Sequence, residues 1–176
     1  MTTPPPSRRR LLATGIACLL ASPALAEVRL GEDGLYHQSW ISETFLDLAE
    51  DLDAATKAGK RLAVVVEQRG CPYCREMHTV VLADPAIGDY VRDNFDLVQL
   101  DLHGAREVTD FDGTRLTEKA FAARYGVRLT PTILFFPTSA AGLAEKPPAE
   151  RTVSRMPGLL RAPDFIDLFR QVRARG

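Results

Sequence analysis

The sequence predicts an α/β fold: a mixed central β-sheet flanked by helices, in one domain with one core. Three observations carry this. Short β-branched runs alternate with segments whose apolar residues recur at three- and four-residue steps, giving the order α-β-α-β-α-β-β-α. The last two strands are close enough to pair as a hairpin. Only two cysteines lie within this pattern, and they stand where a strand hands over to a helix.

The elements follow in chain order. Residues 27–41, EVRLGEDGLYHQSWI, read as an irregular lead-in with two glycines. From Ser42, a plausible N-cap, Phe45, Leu48, Ala49, Leu52 and Ala55 trace a helical face that stops at Gly59. The run 61-RLAVVVE-67 predicts a buried strand. Met77, Val80 and Val81 suggest a helix that opens at Cys71 and is ended or kinked by Pro85. A second helical piece passes through Ile87, Tyr90 and Val91 to Asn94, and 95-FDLVQLDL-102 alternates as a strand. Helix returns at 116–125, capped by Thr117, and 132-TILFF-136 is the next strand. A strand at 151-RTVSR-155 and a helix over 163–174, with Pro163 in its first turn, complete the chain. Between the strand at 95–102 and the helix at 116–125, 103-HGAREVTDFDGTR-115 carries a turn signal at Asp112-Gly113. It reads as a surface excursion, with a partner-recognition flap as the other reading. Asp110 and Asp112 are too few ligands for a calcium loop.

The stretch 67-EQRGCPYCREMH-78 holds the chemistry. A cysteine at a helix N-terminus faces unpaired N–H groups and the positive end of the helix dipole, which favour thiolate. Arg69 and Arg75 stand nearby to add to this, and Pro72 suits a first helical position. Cys71 is then the exposed nucleophile. Cys74, three residues on and on the same face, resolves the mixed disulfide. A structural crosslink is disfavoured, because a loop of two intervening residues restrains little of the unfolded chain. Metal binding would use Cys71, Cys74 and His78, but a structural zinc site takes four ligands and no second cysteine pair exists. Copper(I) on two thiolates is the surviving metal alternative. Otherwise His78 is an ordinary helix-face residue, and no metal or other cofactor is expected beyond the redox-active Cys71–Cys74 pair.

The segment 126-GVRLTPTILFF-136 resembles the part of thioredoxin-fold proteins in which a cis-proline faces the active-site cysteines. The match is Thr130-Pro131-Thr132 before an apolar strand. The resemblance runs from about Ser42 to the end of the chain, making 42–176 a thioredoxin-like domain. It implies that Pro72, Tyr73, Thr130 and Pro131 wall the site and that Thr130 presents backbone to a substrate. EQRGCPYCREMH, REVTDFDGTRLTEKAFAARYGVRLTPT and RMPGLLRAPDFIDLF together resemble the periplasmic SoxW-type thioredoxins of bacterial sulfur-oxidation systems. That likeness implies a dithiol carrier or reductase acting on protein disulfides and recharged by a membrane thiol-electron transporter. A disulfide oxidase or isomerase of the same fold would use the same residues, and a copper-binding chaperone would use Cys71, Cys74 and His78. Isomerases often add a dimerisation domain, for which this chain has no room; a monomer is expected.

Five positions depart from the family pattern. Val65 stands six residues before the first cysteine, where thioredoxins carry a buried carboxylate; Glu67 is the nearest acid and the candidate for proton transfer. Gln99 replaces a lysine that often faces that carboxylate. Gly70 replaces a tryptophan, and Pro72-Tyr73 is the glutaredoxin dipeptide.

Residues 1–26 read as a cleaved export signal: Arg8, Arg9 and Arg10, then 11-LLATGIACLLASPALA-26 closing on a small-x-small end. Ser7-Arg8-Arg9 also resembles a twin-arginine signal, which leaves the route open. The destination is the periplasm, where the exported chain keeps Cys71 and Cys74 and loses Cys18. Removing three of 22 basic residues against 23 acidic ones takes the net charge from −1 to about −4. Nothing in that balance suggests a nucleic-acid or acidic-lipid partner, which would need a basic patch.

Overall fold

The computed structural model describes residues 1–2 and 28–175, so all but the first two residues of the segment expected to be an export signal, Cys18 included, lie outside the described residues. The lead-in is a β-hairpin, not an irregular segment: β1 (Val28–Leu30) pairs antiparallel with β2 (Tyr36–Gln38). Strands of three residues are too short to show a period of two in sequence. The first helix also starts later than its apolar spacing suggests. Leu46 adopts a left-handed φ of 59°, Asp47 caps the helix by accepting from the N–H groups of Ala49 and Glu50, and α1 runs Leu48–Lys57. Ser42 is spent elsewhere, bridging to Val98, and Phe45 is fully exposed.

The central sheet has the order β4-β3-β7-β8, where β3 is Arg61–Glu67, β4 Phe95–Asp101, β7 Thr132–Phe135 and β8 Ser154–Pro157. Strands β3 and β4 are parallel, in register Val65↔Gln99 and Glu67↔Asp101. The β3–β7 and β7–β8 pairs are antiparallel. β3 is buried along its whole length, which is why its sequence is an unbroken apolar run up to Glu67. Its side chains alternate between two cores. Val64 and Val66 meet Leu48, Leu52, Phe121 and Phe136 under α1 and α4 (Glu118–Arg124). Ala63 and Val65 meet Met77, Val91, Phe165 and Phe169 on the other face. Three more helices cover that face: α2 (Pro72–Glu76), α3 (Pro85–Asn94) and α5 (Ala162–Ala174). The final strand begins three residues later than its sequence suggests, because Arg151 is held in a buried ion cluster instead of a ladder.

Residues 103–117 form a second hairpin, β5 (Glu107–Thr109) with β6 (Arg115–Thr117), so Leu116 belongs to a strand and not to the following helix. Thr117 caps α4 as expected, accepting from Ala120 N–H. Gly113, at a φ of 75°, makes the turn. The excursion is clamped. Arg151 donates to Asp110 Oδ2 at 2.8 Å and Asp112 Oδ2 at 2.9 Å; Tyr125 Oη donates to Asp110 Oδ1 at 2.7 Å. No helix among the described residues is long and apolar enough to cross a membrane.

Candidate active site

β3 ends at Glu67, and Gln68, Arg69 and Gly70 turn the chain into α2. Gly70 has a φ of 72° and open space where a side chain would begin. The residue is therefore required by backbone conformation and not by crowding. A tryptophan at this φ would be strained. Cys71 is the N-cap of α2, and Pro72 occupies its first turn, where no N–H is needed.

Cys71 and Cys74 are joined as a disulfide, their Cα atoms 5.2 Å apart. The Cys74 N–H lies 3.1 Å from Cys71 Sγ, and Thr130 Oγ1 donates to the same sulfur at 3.3 Å. The Thr130-Pro131 bond is cis. Once the disulfide is opened, those two donors face a thiolate, the species a hydrogen-bonded N-cap sulfur favours. Cys71 is the more accessible sulfur-bearing residue, at 6% exposure against 2% for Cys74. In this oxidised state it is thus largely covered, not freely exposed as its position in sequence suggests. Tyr73 and Leu129 flank the pair as exposed apolar side chains. Arg69 is turned away, donating to the Asp33 carbonyl at 3.0 and 3.2 Å.

Beneath the cysteines lies a polar cluster. After α2 the helix widens into a π-turn, Met77–Val81, a distortion common near functional sites. His78 on that turn is completely buried, so it is not an ordinary helix-face residue. Its Nε2 is 2.8 Å from Oε1 of Glu67, which is equally buried and lies on the face of β3 shared with Val65. Gln99 Nε2 donates to the same Oε1 at 3.1 Å and to the Tyr36 carbonyl at 2.8 Å. Gln38 Nε2 donates to the His78 carbonyl at 2.9 Å, and the Tyr36 ring stacks on the imidazole at 6.5 Å. The lead-in hairpin therefore walls this cluster.

The structure brings together Cys71, Cys74, Thr130 and Pro131, and separately Glu67, His78 and Gln99. It does not make His78 a third ligand beside the cysteines, since its Nε2 belongs to Glu67. Among the described residues no three His, Cys, Asp or Glu side chains gather to hold a metal ion. His78 could have been found from sequence. It falls on the stripe Cys74, Met77, His78, Val81, Leu82, the spacing of one buried helix face.

A model of the thioredoxin-like domain family matches residues 48–173. Among solved structures, the chain is similar to a thioredoxin from Thermus thermophilus at 26% identity and a TM-score of 0.55, covering 74% of this chain and 86% of that one. It is similar in fold to a thioredoxin-fold protein from Helicobacter pylori, at 18% identity and a TM-score of 0.51 over 74% and 81% of the two chains. A structure described as DsbH oxidoreductase shares the fold at 13% identity, with a TM-score of 0.53 over 92% and 95%. No curated protein matches the chain. The shared fold and the paired cysteines support thiol–disulfide oxidoreductase activity in general.

Proposed function

This chain belongs to the thioredoxin-like domain family, and on that premise we propose that it is a periplasmic thiol:disulfide oxidoreductase working as a dithiol carrier or reductase. The observation that carries the reading is Cys71. It caps a helix, is bonded to Cys74 one turn on, and receives a hydrogen bond from Thr130 beside Pro131. In the reducing direction, the Cys71 thiolate attacks one sulfur of a protein disulfide and the partner's other sulfur leaves. Cys74 then attacks Cys71, closing the internal disulfide and releasing the reduced partner. Two electrons pass from the dithiol to the substrate.

Export to the periplasm rests on the leader-like residues 1–26. Service to a sulfur-oxidation system, with a membrane thiol-electron transporter as reductant, rests on the resemblance of the three quoted segments to SoxW-type thioredoxins. The chain acts as a monomer on protein disulfides, without metal or other cofactor.

The test is substitution followed by trapping. Cys71→Ser abolishes reduction of a protein disulfide such as insulin. Cys74→Ser expressed in the native host accumulates mixed disulfides through Cys71, and the captured proteins name the substrate. Reduction that survives in Cys71→Ser refutes the mechanism. A Cys71–Cys74 potential near about −120 mV, typical of a strong oxidant, refutes the reductant direction.

A further inference from the structure

We propose that the surface around Cys71 selects protein disulfides whose cysteine is flanked by carboxylates, and that Arg75 and Arg128 do the selecting. The inference rests on the oxidoreductase reading above and deepens it, from protein disulfides in general to those set in acidic segments.

Two stretches of chain meet at Cys71. One is 69–76, which contains the cysteine and in which the Arg75 N–H donates to the Cys71 carbonyl at 3.1 Å. The other is 128–131, in which Thr130 Oγ1 lies 3.3 Å from the Cys71 sulfur. Their charged residues are Arg69, Arg75, Glu76 and Arg128, all exposed: three cations against one acid. None of the four enters an ion pair among the described residues. Arg69 donates to the Asp33 carbonyl, which satisfies its N–H groups without cancelling its charge. The Asp33 carboxylate is turned instead to the Leu35 N–H and to His37.

Other exposed arginines are matched. Arg29, Arg92, Arg115, Arg161 and Arg170 each have a carboxylate at 3.9 Å or closer. The chain carries 23 acidic residues against 22 basic ones, so counter-charges are not scarce. Three unmatched guanidinium groups around the reactive sulfur form a surface whose counter-charges a partner supplies. Guanidinium is also the cation whose planar fork fits a carboxylate best. The same stretches indicate what carries those carboxylates. Tyr73 and Leu129 are exposed apolar side chains beside the arginines. A polypeptide segment can cover both kinds of side chain, whereas a free anion would leave the apolar ones in water.

The selection is one of rate. Opposite charges facing each other across an encounter speed association by about ten-fold or more at low salt, and like charges slow it. Salt removes the effect, because the Debye length falls to about 3 Å at 1 M. A segment with glutamates around its cysteine therefore gains, and one with lysines loses. Arg75 and Arg128 act on the approach of the segment and position it; the exchange of sulfur bonds is the reducing step already described.

The experiment compares three symmetric peptide disulfides. Each is the dimer of a short peptide with one cysteine, flanked on both sides by glutamate, by lysine or by glutamine. The reduced protein is mixed with each, and release of peptide thiol is followed by acid quench and chromatography. Every rate is divided by that of a small neutral dithiol, which removes the effect of the flanks on the peptide's own reactivity. At low salt the glutamate peptide should exceed the lysine peptide by roughly ten-fold or more. In 1 M salt the ratio should fall below about two-fold. In the double variant Arg75→Glu/Arg128→Glu the order should invert. Any change in the intrinsic reactivity of Cys71 cancels in the ratio. A wild-type ratio within about two-fold of unity at low salt overturns the proposal. So does a glutamate preference that survives the charge reversal in a folded variant. If the variant does not fold, the wild-type salt series decides by itself. Failure of the oxidoreductase reading looks different, since the wild type would then reduce none of the three peptides, the neutral one included.

Discussion

Removing the Arg151 guanidinium should be costly, and the structure says roughly how costly. Arg151 is 2% exposed, and its four hydrogen bonds reach Asp110 Oδ2, Asp112 Oδ2 and the carbonyls of Lys146 and Ala144. In Arg151→Met the aliphatic stem remains, so the loss is electrostatic. Breaking one side of a buried ion pair costs about 3–5 kcal/mol, because the surviving charge is stranded. Asp110 would keep Tyr125 Oη at 2.7 Å, the Phe111 N–H at 2.8 Å and Arg124 at 3.3 Å. That places its penalty at the lower end, about 3 kcal/mol. Two carbonyls losing a donor raise the total to about 4 kcal/mol, given the usual worth of such bonds. For a chain of this size the melting midpoint should fall by roughly 8–16 °C. Calorimetry at neutral pH reads the shift. Amide exchange should quicken first in β5 and β6, which the cluster holds down. A fall of less than about 2 °C, well below the range derived from the buried-pair cost, would refute the reasoning and return the hairpin to an unclamped excursion.

Two further outcomes test the fold. Burial pushes the Asp51 carboxyl up to about 6 from an ordinary 3.8, opposed by the Thr44 hydroxyl and assisted by Asp96, Asp47 and Glu50. The folded chain then holds more protons than the unfolded one between those values, so stability is lost as pH rises from 3.8 to about 6. Asp51→Asn should raise the urea midpoint at pH 7 by the equivalent of about 1–2 kcal/mol, a figure reduced for solvent screening, with the gain gone below about pH 4. Equal destabilisation at both pH values would contradict this. Phe169 is fully buried, its ring 4.8–5.0 Å from those of Phe95, Phe135 and Phe165. Phe169→Ala should cost about 3–5 kcal/mol in denaturant unfolding, and a loss below about 1 kcal/mol would mean that this core collapses around the cavity.

Much of the architecture is legible because burial leaves marks in composition. β3 reads correctly because both of its faces are covered, so seven residues need no alternation. α4 is placed by one cap, Thr117, and the CPYC helix by the strand before it and Pro72 within it. The misses have physical causes. The start of α1 is hidden because a left-handed Leu46, which no rule of propensity favours, resets the chain so that Asp47 takes the cap from Ser42. The lead-in hairpin is hidden because three-residue strands carry no period, and its value lies in distant contacts to Gln99 and His78. Glu67 is visible as the nearest acid, but not its environment. A carboxylate closing an apolar strand can be a solvated end or a buried group, and only the packing of β2 across it decides. The cluster under the cysteines is therefore a tertiary fact assembled from four separate stretches.

The two borders of the central sheet carry a last consequence. On the proposed function, in which the substrates are protein disulfides, the protein meets extended chains seeking a strand to pair with. On one border β4 is met by the lead-in, with the Ser42 N–H bonded to the Leu97 carbonyl and Ser42 bridged to Val98. On the other, β8 is four residues long and ends in Pro157, which has no N–H to offer. Neither border gives a long unprotected ladder for indiscriminate strand addition. On that reading, chains that approach are left with the short stretch of backbone at Thr130, where pairing would bring a disulfide to Cys71. Protection from aggregation and selection of the productive encounter thus come from the same economy of exposed edges.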